Sequence, residues 1–320
     1  MSLHGKKIPR LSTEFRDLGF GNNVNTSHHQ RLMNRDGSSN VVREGLPWIR
    51  PMDAYNSLIT MSWMKFHLII IVSYTVINAF FAGIYVLIGP EHLRGIGPND
   101  DMNHFLSAFF FSAQTISTVG YGHISPHGVA TSTVAAIESM LGLLGFALAT
   151  GLLYGRFSKP TAKILYSDFA LIAPYKGGIS FQFRLVNLKK NQLIENEIEV
   201  IFSCNEADSS GKIQRHFYPL KLERKQVSLL ALSWTVVHPI NEDSPVFNQS
   251  KADLEKCDAE IMVFLKAFDD TFSQTVHSRT SYKYFEIVWG GTFKPIFGPN
   301  EQGITTINIS KVHDHEKVVL

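Results

Sequence analysis

Two long apolar stretches with a shorter one between them constrain this chain more than anything else in its sequence. Phe66 to Ile88, FHLIIIVSYTVINAFFAGIYVLI, contains no Asp, Glu, Lys or Arg, and it exceeds the roughly 20 residues that cross a hydrocarbon layer about 30 Å thick. Val129 to Tyr154, VATSTVAAIESMLGLLGFALATGLLY, is as long and holds one charged residue, Glu138. Both read as transmembrane helices. Between them HFLSAFFFSAQTI, His104 to Ile116, is apolar but only about 13 residues long, too short to span, which predicts a re-entrant helix enclosed by protein.

The 320 residues exceed what two spans need and predict a separate soluble domain. Positions 1–45 are rich in Asn, Ser, Gly, His and Arg without periodicity and read as a flexible tail. No apolar run opens the chain, so no signal peptide is expected. LPWIRPMDAYNSLITMSWMKF sets Trp48, Tyr55, Leu58, Ile59, Met61 and Trp63 among polar residues. That pattern predicts an interfacial slide helix over 46–64 with Asp53 as its N-cap, a tightly folded loop being the alternative. Arg43, Arg50 and Lys65 precede the first span and Arg156, Lys159 and Lys163 follow the second, whereas the connection carries Arg94 alone. By the positive-inside rule both termini face the cytoplasm. After Lys163, short β-prone runs (ISFQFRLVNL, NEIEVIFSC, VSLLALSWTVVH, EIMVFLKAF, YFEIVW, ITTINI) recur between Gly, Pro, Asn and Asp. Their rhythm predicts an antiparallel sandwich over 159–320.

Charge and cysteine usage exclude several classes. The net charge of +2 comes from Lys, Arg, Asp and Glu mixed along the chain, with no single-sign run of the kind that binds nucleic acid. Cys204 and Cys257 lack CxxC spacing and read as small core residues of a reducing compartment rather than a disulfide or a zinc site. His28 with His29 and His313 with His315 lack further ligands at matching spacing and read as solvated tails. There is no nucleotide-binding loop or nucleophile constellation, so neither an enzyme nor an organic cofactor is expected.

The segment that carries chemistry is Thr118, Val119, Gly120, Tyr121 and Gly122, between the short helix and the second span. Extended backbone at membrane depth leaves N–H and C=O groups unpaired, at several kcal/mol each, unless protein encloses it and it lines a watery path. Gly120 and Gly122 permit backbone angles that let successive carbonyls point to one side. TVGYG loops are the established carbonyl filter of potassium channels, in which four copies replace the hydration shell of K⁺. Here Thr118, Val119, Gly120 and Tyr121 would supply the K⁺-binding oxygens. One chain gives one loop, so a homotetramer is required. The C-terminal end of the short helix would favour a cation in the cavity.

The sequence resembles the inward rectifier potassium channels, specifically their prokaryotic branch, over about residues 45–310. Beyond the filter, the resemblance rests on RFSKP (156–160), RLVNLKKNQLIENEIEV (184–200), SWTVVHPINEDSPVF (233–247) and SYKYFEIVWGG (281–291). It implies a pore domain over 65–158, with helix one at 66–88, pore helix at 104–116, filter at 118–122 and helix two at 129–157. It also implies an immunoglobulin-like β-sandwich as the cytoplasmic domain, with the conduction path continuing through it. The fold class is thus membrane α plus all-β, in an integral protein of a bacterial inner membrane. Departures from the family bear on function. Phe146 stands where strong rectifiers carry a cavity acid; Glu195 falls on an acidic cytoplasmic-pore position, but Lys266 replaces another acid. Weak rectification follows. Gln114 replaces the Glu that eukaryotic members carry behind the filter.

Glu138 reads either as polar support behind the filter or as an electrostatic contribution to the cavity, the alternative being a packing residue. Gly142, Gly145 and Gly151 serve helix contacts, with a hinge at Gly142 as the other reading. The resemblance supports a gate at Leu152 or Tyr154. Arg156, Lys159 and Lys163 suit the headgroups of anionic phospholipid or phosphoinositide. The leading function is K⁺-selective conduction regulated by anionic lipid; the alternative is a nonconducting membrane-anchored sensor that uses its sandwich to bind a partner.

Overall fold

The structure, a computed structural model, describes residues 31–41, 44–45, 51–96, 103–207 and 211–320, with 51–53 described through their backbone alone. Two compact units are present. Gly45–Lys159 forms one, and Met1–Glu44 with Pro160–Leu320 forms the other.

In the first unit, helix α1 (Pro51–Thr60) stops ten residues after it starts. The predicted slide helix over 46–64 is therefore shorter: Met61 and Ser62 break it, and the extended backbone of Ser62 (φ −61°, ψ 150°) starts α2 (Trp63–Ile88). Residues 46–50, including Trp48, lie outside the described residues. Asp53 sits inside the first turn of α1 rather than at its N-cap. Trp63 belongs to the first span, which begins three residues before the apolar run because helical geometry continues through Met64 and Lys65. Its 26 residues make about 39 Å of helix at 1.5 Å per residue. Strand β1 (Leu93–Arg94) pairs antiparallel with β2 (Ser125–Pro126), and between them in sequence lies α3 (His104–Ile116), capped by Asn103 Oδ1 accepting the Leu106 N–H at 2.8 Å. Helix α4 (Val129–Phe157) has 29 residues. Both long helices are apolar enough to cross a membrane.

The second unit is a two-sheet sandwich. Its strands are β3 (Ile164–Tyr166), β4 (Ala170–Tyr175), β5 (Gly178–Asn187), β6 (Leu193–Ala207), β7 (Ile213–Pro219), β8 (Gln226–Leu229), β9 (Ser233–Ile240), β10 (Glu260–Asp269), β11 (Gln274–Lys283) and β12 (Ile287–Trp289). One sheet runs β11-β10-β6-β7, with β8 also on β6; the other runs β12-β4-β5-β3, with β9 also on β5. Alternation along β6 explains the layering. Ile198, Val200 and Phe202 face the inter-sheet core with Phe181, Phe183, Trp234, Ile261, Val263 and Tyr282, while Ile201 faces the other side. The run VSLLALSWTVVH is two strands, since Leu230 to Leu232 turn between β8 and β9, and YFE of YFEIVW is a 3-10 turn. Hydrogen bonding to β10 over ten register pairs, not apolar alternation, makes the polar β11 a strand.

Part of the predicted flexible tail is a packed strap. Arg31 to Asn40 folds back on itself through the Met33–Ser39 bridge. Leu32 and Met33 bury against Ile201, Phe217 and Met262 on the outer face of β6, β7 and β10. The fully buried carboxylate of Glu260 accepts the Leu32 and Met33 N–H groups at 2.9 and 3.2 Å, and Arg215 Nη2 lies 3.6 Å from the same carboxylate. Arg31 pairs with Glu286, and Arg35 reaches the Ser167 and Asp168 carbonyls and lies over the Tyr282 ring, 4.8 Å from its centroid. His313 is likewise docked rather than solvated, its Nδ1 accepting the Asp168 N–H at 3.0 Å.

Each charge-assisted bond from Glu260 contributes about 1.5–3 kcal/mol. Glu260→Gln, which leaves one acceptor for two N–H groups, should therefore expose Arg31 and Arg35 to trypsin roughly tenfold faster; cleavage at the wild-type rate would show that Glu260 does not hold the strap. A second prediction concerns pH. His238 is buried, donating from Nδ1 to the Lys221 carbonyl and accepting from Ser244 at Nε2, both at 2.7 Å. Burial holds its pKa below the usual value, against the Lys221 hydrogen bond. The unfolded chain then binds the proton first, so stability is lost as pH falls through about 6.5. The stability advantage of wild type over His238→Asn should shrink between pH 7 and pH 5, as urea midpoints at the two pH values would register.

Candidate ion-conduction site

Positive φ angles alternate along TVGYG: Thr118 (60°), Gly120 (53°) and Gly122 (85°), with Val119 and Tyr121 between them on the negative side. Glycine adopts such angles readily, but Thr118 does so at a cost of order 1–3 kcal/mol, which the surroundings must hold. The end of α3 does part of this: the N–H groups of Thr118, Val119 and Gly120 donate back to the carbonyls of Thr115 and Gln114 at 3.0–3.3 Å. Val119 and Tyr121 are exposed in the single subunit.

Behind α3 lies a buried polar chain that joins all three helices. Glu138 of α4 is fully buried, accepting from Tyr85 Oη at 2.5 Å and from Ser112 Oγ of α3. Ser112 Oγ is also 2.9 Å from Asn78 Oδ1, and Asn78 Nδ2 donates to the Tyr74 carbonyl at 2.7 Å. Tyr74 Oη in turn donates to the Ala113 carbonyl at 3.2 Å. Around this chain pack Phe81, Ala82, Ala108, Phe111 and Ala135. The expectation that Glu138 contributes to the cavity is thereby corrected: its carboxyl group is turned into the subunit, away from every surface, because its hydrogen-bond partners lie on α2 and α3. It ties α4 to α2 and α3. Gly142 packs one turn further along α4, where a Cβ would run into the Ile116 carbonyl at the end of α3. Close approach, not hinging, explains that glycine. Gly145 and Gly151 have open space beside them.

The far end of α4 meets the α1–α2 corner. Gly155 leaves room for Tyr55 Oη, 3.0 Å from where its Cβ would stand. Arg156 donates to the Leu58 and Met61 carbonyls at 2.5 and 2.7 Å and lies between the Trp63 and Phe66 rings, 4.5 Å from each centroid. These are the carbonyls that the end of α1 leaves without helical partners, so Arg156 caps one helix from another. Leu152 is half-buried, and Tyr154 and Phe146 are exposed on α4.

Comparison with known proteins agrees with this architecture. The family described as Ion channel matches residues 68–159, and that described as Inward rectifier potassium channel C-terminal domain matches residues 164–320. The inward rectifier potassium channel Kirbac3.1 of Paramagnetospirillum magnetotacticum is 36% identical over 287 residues, covering 89% of this chain and 95% of that one. The chain belongs to the inward rectifier potassium channel family. More distant members include the G protein-activated inward rectifier potassium channel 2 of Mus musculus, 27% identical over 98% of this chain and 78% of its own. As in its family, the chain is an integral membrane protein with a channel pore and a C-terminal β domain.

In this inward rectifier, Glu195 and Lys266 come together in the β domain. Glu195 has φ 51° and sits where the β6–β10 register shifts, a bulge that re-aims its side chain. Both residues line one hollow of about 500 Å³ with Glu197 and Thr275. Glu197, which sequence reasoning passed over, faces Lys266 in register and pairs with Lys225 at 2.8 Å. Lys159 and Lys163 are exposed. Asn78 has a signal in the sequence, as an amide in a span without charged residues.

Because Tyr85→Phe keeps the ring and removes one donor from Glu138, it isolates the polar chain. It should lower the melting temperature of the detergent-solubilised channel, consistent with a loss of about 1 kcal/mol, and weaken preference for K⁺ over Na⁺. A variant unchanged in both would show that the chain does not support the pore helix.

Proposed function

We propose that four copies of this chain form a passive K⁺ channel, with carbonyl oxygens of Thr118, Val119, Gly120 and Tyr121 as the selectivity filter. The observation that carries the reading is the alternation of backbone handedness along 118–122, which suits carbonyls that point to one side, on a loop braced by a buried polar chain. The negative ends of four α3 dipoles would steady the cation in the cavity. Leu152 and Tyr154 gate the path, and Phe146 and Lys266, at positions that are acidic in strong rectifiers, make block by polyamines weak. The channel lies in a bacterial plasma membrane with both termini in the cytoplasm.

Anionic lipid regulates the gate through a division of labour. Arg156 already spends its Nη donors on Leu58 and Met61, so Lys159 and Lys163 carry most of the headgroup attraction, while Arg156 passes displacement of the α1–α2 corner to the helix that bears Leu152 and Tyr154. Two contacts of about 1 kcal/mol each bound the lipid effect at about thirtyfold.

Radiolabelled Rb⁺ uptake into liposomes of the purified protein tests this reading. Uptake should be stopped by Ba²⁺, lost in Gly120→Ala, and indifferent to anionic phosphoinositide in Lys159→Gln with Lys163→Gln. Absence of uptake in every lipid mixture would favour a nonconducting sensor, and K⁺ over Na⁺ selectivity surviving in Gly120→Ala would refute the filter.

A further inference from the structure

The chain has two cysteines, and the β domain brings them together from positions far apart in sequence. Cys204 is buried within β6; Cys257 is partly exposed and closes the short helix α5 (Lys251–Lys256). The Asn205 N–H donates to the Cys257 carbonyl at 2.8 Å, so the Cys257 backbone lies against β6 one residue from Cys204. The two thiols are within hydrogen-bonding reach of each other. Both are reduced in this structure.

We propose that Cys204 and Cys257 are a redox-active pair that peroxide closes into a reversible intrachain disulfide. Their surroundings divide the roles. The Cys257 thiol, whose Sγ also lies 3.5 Å from the Leu254 carbonyl oxygen, is pushed down by its hydrogen bond with Cys204, with the positive charge of Arg215 adding to the effect. Arg215 is held beside it by Asp258, Nη1 to Oδ2 at 3.2 Å. The Cys204 thiol is pushed up by the same hydrogen bond and by burial, and Cys204 Sγ is 3.2 Å from Glu206 Oε1. The partly exposed Cys257 thiolate attacks one peroxide oxygen, forming an S–O bond as the O–O bond breaks and hydroxide leaves, which gives a sulfenic acid. The Cys204 sulfur then displaces the sulfenic oxygen, and the S–S bond forms. Two thiols have lost two electrons and two protons, and hydrogen peroxide has become two waters. A cytosolic location suits a pair of this kind, since disulfides there are transient and redox-sensing. The bond would tether the turn that carries Asp258, onto which Arg215 and the fully buried Lys283 converge.

The test uses the intact purified channel, exposed to hydrogen peroxide, denatured, alkylated with N-ethylmaleimide and weighed by mass spectrometry. Oxidised wild type should lose both alkylatable thiols and two hydrogens per chain, yield one cross-linked peptide pair containing Cys204 and Cys257, run as a single chain on a non-reducing gel, and recover both thiols in dithiothreitol. Cys204→Ala should accumulate a Cys257 sulfenic acid that dimedone captures, whereas Cys257→Ala should leave Cys204 reduced. Retention of both thiols in peroxide-treated wild type, or a disulfide found only between chains, would overturn the proposal, and neither result depends on the variants folding or on ion conduction.

Discussion

Extended backbone in a low-dielectric layer must find its hydrogen bonds inside protein, and the TVGYG segment meets that demand by leaning on one short helix. Its first N–H groups return to the Thr115 and Gln114 carbonyls at the end of α3. Whatever angle α3 takes, the segment follows. The position of α3 in turn depends on Glu138, whose carboxyl group ties α4 to α2 through Tyr85 and to α3 through Ser112. Helix packing in lipid gains nothing from the hydrophobic effect, because lipid tails are as apolar as the side chains. A polar chain and close backbone contact therefore do the work that apolar burial does in the β domain. Gly142 supplies the close contact at the point where α3 ends.

The fold was legible to the extent that composition reports it. Apolar runs disclose spans, because crossing lipid requires both length and lack of charge, and short β-branched runs disclose a sandwich. What was hidden depends on partners distant in sequence. Arg31 to Asn40 looks polar and aperiodic, yet it is ordered by Glu260, more than two hundred positions away. The strand β11 is ordered by its ladder to β10. Nothing local to either segment announces those contacts. The end of α1 is hidden for a similar reason: Met61 and Trp63 continue an amphipathic pattern, but the chain turns at Ser62 to start α2.

The site divides in the same way. TVGYG is a local motif, so it could be read directly, whereas Tyr85, Asn78 and Ser112 acquire meaning only once three helices converge on Glu138. Arg156 shows how a residue type misleads. A basic residue directly after a span suggests a headgroup ligand, but a guanidinium has five donors in a planar fork and stacks on aromatic faces, which also suits it to an exposed helix end. Leu58 and Met61 offer that end, and Trp63 and Phe66 offer the faces.

That placement limits how α1 and α4 can move independently. If the α1–α2 corner shifts along the interface, Arg156 either follows it or gives up two charge-assisted bonds, each contributing about 1.5–3 kcal/mol. Following is the cheaper course, since bending or rotating the end of a long helix over one turn strains few hydrogen bonds, and Gly155 beside Tyr55 removes the side chain that would resist. Tyr154 lies two residues before Arg156 and Leu152 four before it, within about one turn on the same helix. A displacement of the α1–α2 corner thus reaches Tyr154 and Leu152 through one guanidinium group.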